Sequence, residues 1–148
     1  MNADEIMQKS RDAWNKKDKE AFLAYFTEHS ELTGPGGLTL QGLAGVEMLW
    51  EAWRGAFPDN QVTSRNVFAA GDQVCGEGTF EGTHTGTLNG ADGSQIPPTG
   101  RHVSLSSAEV NTIRDDKFVT MHIYLDQVEL LTQLGRPPTP DSPHTRQA

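Results

Sequence analysis

The apolar residues of this chain change their period once, and the change falls at Pro58-Asp59. Before it, Val46, Leu49, Trp50, Trp53 and Phe57 recur at helical intervals, one unbroken stripe that a helix must bury. From Gln61 onward the pattern is that of strands cut by turn dipeptides. Helices first and hairpin-linked strands afterwards predict an α+β domain, with the helices packed on one face of a curved antiparallel sheet. A long sheet closing over helices leaves a funnel between the layers. Trp50, Trp53 and Phe57 are expected to line or floor it.

The remaining elements follow from local signals. Met7, Ser10 and Trp14 place a first helix over residues 3–16, and Asp18 caps a second helical piece through Phe26, where Phe22 and Phe26 lie one turn apart. A short apolar stretch near Leu32 and a glycine turn, Gly34-Pro35-Gly36-Gly37, lead to the striped helix, Gly45 to Phe57. Strands are predicted over 62–70, 73–87, 101–113 and 118–126, with turns at Gly71-Asp72 and Asp115-Asp116 and a loop over 88–100. A short helix starting at Gln127 ends at Gly135, as a glycine C-cap would end it. These elements give one domain over residues 1–135, and the proline-rich tail 136–148 is expected to be disordered.

Charge and composition narrow the function. With 12 basic against 20 acidic residues the net charge is −8, so the chain lacks the basic stripe that nucleic acid or an anionic membrane surface requires. The polar, acidic start (Asn2-Ala3-Asp4-Glu5) is unlike a signal peptide, and the single cysteine, Cys75, fits a reduced, cytoplasmic setting. Cys75 reads as a small buried filler. No metal-ligand spacing joins the five histidines, and no phosphate-binding glycine loop is present, so neither metal nor cofactor is expected.

The strand Met121-His122-Ile123-Tyr124-Leu125-Asp126 carries the most suggestive chemistry. Alternation puts Met121, Ile123 and Leu125 on one face and Thr120, His122, Tyr124 and Asp126 on the other. An imidazole, a phenol and a carboxylate in one row could handle protons, provided that this face looks into an enclosed cavity.

In this setting the chain resembles the SnoaL-like proteins, small polyketide-cyclase-type enzymes on the cone-shaped α+β roll of the nuclear-transport-factor-2-like superfamily. The likeness runs in order through Ala56-Phe57-Pro58-Asp59, Gly71-Asp72-Gln73-Val74, Gly82-Thr83-His84-Thr85-Gly86, Pro97-Pro98-Thr99-Gly100-Arg101, and Asp126 followed by Leu130-Leu131-Thr132-Gln133-Leu134-Gly135. It implies a cofactor-free intramolecular aldol closure of a hydrophobic polyketide, with Asp126 as acid/base, and a homodimer formed through the outer face of the sheet. The chain departs from the family pattern at Asp116, Thr120 and His122, where a glycine, a glutamate and a tryptophan are usual, and its 91–96 loop is longer.

Each candidate has a plainer role beside the functional one. Asp126 could be the acid/base or simply the N-cap of the last helix. His122, roughly 13 Å from Asp126 along the strand, could hold the opposite end of a substrate or be a structural histidine. Tyr124 could bind a carbonyl or pack. His84 could face ligand or fasten a strand end. Arg54 and Arg101 read as solvated. Gly76, Gly78 and Phe80 share one strand face, and its small glycines imply a bulky neighbour, either the helix layer or a partner subunit. Other reactions on the same fold (epoxide opening, isomerisation, cycloaddition) and non-catalytic binding of a hydrophobic ligand stay as alternatives.

Overall fold

The structure, a computed structural model, describes residues 1–137, so the expectation of a disordered tail falls, past residue 137, outside the described residues. Helix α1 (Ala3–Asn15) starts at Asn2, whose side chain accepts a hydrogen bond from the Glu5 amide, and it buries Ala3, Ile6, Met7, Ser10, Arg11, Ala13 and Trp14. Asp18 caps α2 (Lys19–Leu23) by accepting from the Ala21 amide, as expected, although the helix stops before Phe26. Helix α3 (Gly42–Ala56) carries the predicted stripe. Trp14, Phe22 and Trp50 from the three helices meet with ring centroids 5.0–5.4 Å apart, which locks the helix layer together.

Six strands form the sheet: β1 (Glu31–Gly34), β2 (Leu38–Gln41), β3 (Gln61–Ala70), β4 (Gln73–Thr83), β7 (His102–Arg114) and β8 (Lys117–Leu125), in the order β2-β1-β8-β7-β4-β3. All neighbours are antiparallel except β1 and β8, which run parallel. A small hairpin of β5 (Leu88–Asn89) and β6 (Gln95–Ile96) lies within the predicted loop, and α4 (Gln127–Gln133) closes the described fold. The result is a curved sheet over helices, the predicted α+β roll.

Strand β4 is shorter than predicted, ending at Thr83 rather than near 87. The chain turns there onto the end of α3, where the Thr85 and Gly86 amides both donate to the Ala56 carbonyl. A Cβ on Gly86 would lie 1.8 Å from the Gly55 carbonyl oxygen, so only glycine allows this approach. The bulky neighbour implied by Gly76 is the helix layer: a Cβ there would sit 2.3 Å from the Met7 methyl.

Candidate active site

Strand β8 turns its apolar face toward the helices. Met121, Ile123 and Leu125 point inward and line a cavity between the layers, whereas His122 and Tyr124 stand on the outer face. In register, His122 lies beside Thr33 of β1 and Val110 of β7, and Tyr124 is 57% exposed. The physical reason is simple. Met121 is buried and Ile123 and Leu125 partly so; full burial of such a side chain gains roughly 1.5–3 kcal/mol, and the polar row gains nothing comparable.

Asp126 is likewise outside. It is solvent-exposed and N-caps α4, with Oδ1 accepting from the Glu129 amide at 3.1 Å. With Tyr124 it borders an open groove of about 390 Å³ between Thr33–Gly36 and Gln127–Val128. The polar row therefore does not look into an enclosed chamber, the condition on which the acid/base reading of Asp126, His122 and Tyr124 rested.

The other expected residues separate as well. Trp53 lines the cavity. Trp50 is buried among the helix aromatics, and Phe57 is fully buried between Trp53, Phe80 and His84, so neither floors the cavity. His84 is fully buried and faces protein: its Nδ1 accepts the Thr99 amide at 3.2 Å and meets the Thr99 hydroxyl at 2.9 Å. That leaves the ring proton on Nε2, which is buried without a partner. Burial pushes the imidazole below its ordinary pKa, and the nearby Arg136 charge adds to the effect.

Two further readings change. Arg54 is not solvated: its guanidinium lies 4.9 Å from the Trp14 ring and donates to the carbonyls of Trp14 and Asn60. Cys75 is only partly buried, on the outer face beside Val110 and Phe68.

What the sequence reading missed is the polar end of the cavity. The space is about 80 Å³, walled by Trp14, Phe22, Leu49, Trp53, Val62, Phe80, Met121, Ile123 and Leu125, with Ser10, Arg11, Ser107 and Glu109 as its polar lining. Arg11 Nη2 donates to Glu109 Oε2 at 2.7 Å, and their side chains are only 9% and 19% exposed. Arg11 Nη1 donates to Ser64 Oγ at 3.0 Å, and Asn111 Nδ2 to Glu109 Oε1 at 3.3 Å. Helix α1 and strands β3 and β7 thus hold one charged pair against an apolar chamber.

The profile of the SnoaL-like polyketide cyclase family matches residues 4–134. The chain belongs to this family. Among solved structures, the SnoaL-like chain is similar to AclR of Streptomyces galilaeus, a candidate hydroxylase, at 26% identity over 90% of this chain and 95% of that one, with a TM-score of 0.75. It is also similar to IdmH of Streptomyces antibioticus, a candidate polyketide cyclase (24% identity, 91% and 99% coverage, TM-score 0.76). A protein of Catenulispora acidiphila with a ketosteroid isomerase-like fold, solved with trimethylamine, superposes at TM-score 0.74 with 19% identity over 92% and 98% of the two chains. No significant match was found among curated proteins. The family and the shared fold support a cyclase-type function for this SnoaL-like protein. Among the described residues no helix is long and apolar enough to cross a membrane, and no three His, Cys, Asp or Glu side chains cluster as metal ligands.

Proposed function

We propose that this SnoaL-like protein is a cofactor-free cyclase that closes a ring within a hydrophobic, carbonyl-bearing intermediate of natural-product biosynthesis. The observation that carries this reading is the cavity: aromatic and aliphatic walls with polarity confined to one end. Apolar walls fold a flexible chain so that its reacting carbons meet, and such orientation can remove roughly 7–11 kcal/mol of barrier in favourable intramolecular systems. At about 80 Å³ the space is below the roughly 300–1,000 Å³ of ordinary small-molecule pockets, so the substrate inserts one end or displaces part of the lining. Asp126, exposed and engaged as a cap, borders the open groove and not this cavity. In this reading the inner wall governs ring closure.

The pairing of two copies through the outer sheet face belongs to the same reading. Phe68, Cys75, Val110, His122 and Thr33 form one row across five strands, with Phe68 59% and Val110 38% exposed. Exposed apolar residues in such a row favour a self-complementary contact. The row gives His122 a place at an interface.

A linear β-triketone incubated with the protein and followed by mass spectrometry tests the function. A ring-closed isomer at unchanged mass, or its dehydrated form, is expected. A gain of one water would instead indicate an epoxide-hydrolase-like or other hydrolytic enzyme when epoxide or ester substrates are tried. Tight binding without turnover across the series would leave a ligand-binding module.

A further inference from the structure

We propose that Arg11 and Glu109 form a donor–acceptor clamp for the enol form of a 1,3-dicarbonyl group at the polar end of the cavity. This rests on the cyclase reading for the arrival of such a group, but the clamp is read from the side chains themselves.

The pair is not explained by stability. Two charges inside an apolar chamber lose much of their hydration, and well-packed apolar side chains of similar volume commonly serve as well or better. Arg11 occupies a position on the buried stripe of α1, between Met7 and Trp14, where an apolar residue would fit the pattern. Glu109 shares its β7 face with the buried Val103, Leu105 and Ile113 and sits there between Ser107 and the buried Asn111. Both break the rule of their own element, at the same place and toward the same cavity.

Each group also retains binding capacity. A guanidinium has five N–H donors and a carboxylate about four acceptor positions. Arg11 commits one N–H to Ser64 and one to Glu109, and Glu109 receives one bond from Arg11 and one from Asn111. Ser107, two residues before Glu109 on the same strand face, adds a hydroxyl to the cavity lining.

A donor beside an acceptor selects by charge and by hydrogen bonding. A carboxylate ligand meets the Glu109 anion, and an ammonium ligand meets the Arg11 cation. A lone ketone accepts from Arg11 only and offers no donor to the free acceptor positions of Glu109. The enol of a 1,3-dicarbonyl offers both partners: its carbonyl oxygen accepts from Arg11, and its enol O–H exchanges the internal hydrogen bond to that carbonyl for a charge-assisted one to Glu109. Bond orders shift within the ligand upon enolisation, one C–H proton moving to oxygen, so no external reactant is needed. Such a group is weakly acidic at carbon and ready for C–C bond formation, which places the clamp where a ring closure would begin.

Acetylacetone is a suitable probe, small and neutral at pH 7, with 2-pentanone as the mono-ketone control. Binding to the full chain is followed by NMR with carbonyl-labelled acetylacetone, which also reports the bound keto and enol fractions. The expected result is binding with an increased enol fraction and at least about tenfold weaker binding of 2-pentanone, the scale of one hydrogen bond to a charged group. Glu109→Gln lowers acetylacetone affinity about tenfold or more and removes the enol enrichment. Arg11→Met/Glu109→Leu, checked for fold by circular dichroism, abolishes the preference over 2-pentanone. Equal affinity for the two probes, or unchanged enol enrichment in Glu109→Gln, overturns the clamp, and the latter result decides even if the double variant fails to fold. Absence of triketone cyclisation with enol-selective binding intact would instead reject the cyclase reading and leave the clamp standing.

Discussion

The two faces of the β7–β8 hairpin hold polar residues under opposite conditions. On the inner face, Glu109 is matched to Arg11 and Asn111, and the surrounding walls are tryptophan, phenylalanine and aliphatic groups. On the outer face, Tyr124 is exposed, while Asp126 beyond the strand end caps a helix in contact with solvent. The same residue types therefore carry different weight. Water screens and solvates an exposed carboxylate, whereas a carboxylate in an apolar chamber must be matched or it destabilises the protein. Chemistry is to be sought on the inner face and association on the outer one.

The strongest way to break this contrast is to remove one inner partner. Arg11→Ala leaves Glu109 uncompensated and is expected to cost about 3–5 kcal/mol in urea unfolding, toward the lower end because Glu109 is 19% exposed. Arg11→Met/Glu109→Leu should stay within about 1 kcal/mol of the parent. On the outer face His122→Ala should fall within about 0.5 kcal/mol when measured on the monomer. An Arg11→Ala loss no larger than that of His122→Ala would show that the pair is effectively solvated.

Outer-face association comes next. Light scattering is expected to give twice the chain mass for the parent protein and the single-chain mass for Phe68→Asp/Tyr124→Asp, since charge in the middle of an apolar contact opposes its desolvation. A monomeric parent would end the pairing proposal.

Asp126 sharpens the comparison by separating capping from chemistry. Asparagine caps as well as aspartate, so Asp126→Asn should retain stability, and Asp126→Ala should lose about 1 kcal/mol. Turnover of the β-triketone is expected to stay within about tenfold in Asp126→Asn. A loss of about a hundredfold or more, the usual scale for a general acid or base, would return that role to Asp126.

Much of this architecture was legible before any coordinates. The Val46–Phe57 stripe, the period change at Pro58-Asp59, the Asp18 cap and the Gly71-Asp72 turn all have local causes, and local causes are written in sequence. The inward direction of β8 was legible too, through Met121, Ile123 and Leu125, but the polar row drew the functional reading to the face turned away from the helices. Arg11 could have been noticed as a charge inside an otherwise buried stripe, since Met7, Ser10 and Trp14 mark that face. Its pairing with Glu109 could not. The two lie 98 residues apart, and their meeting depends on how α1 docks across β3 and β7. His84 was hidden by the early end of β4, which turns the ring under Thr99 instead of toward a ligand.

That buried histidine supplies the smallest and most specific effect. Its folded-state pKa lies below the ordinary 6.5, first because burial disfavours the charged ring and then because of Arg136. The unfolded chain consequently binds the proton more readily. Stability is then fully present above the unfolded pKa and falls as pH drops below it, levelling off under the depressed folded value. Urea unfolding between pH 7.5 and 5 should show this decline, amounting to less than about 1 kcal/mol at pH 6, and His84→Gln should flatten that part of the profile. Ionisation would add its proton at Nδ1, where the ring now accepts the Thr99 amide, so an unchanged slope in a folded His84→Gln variant would assign the decline to another group.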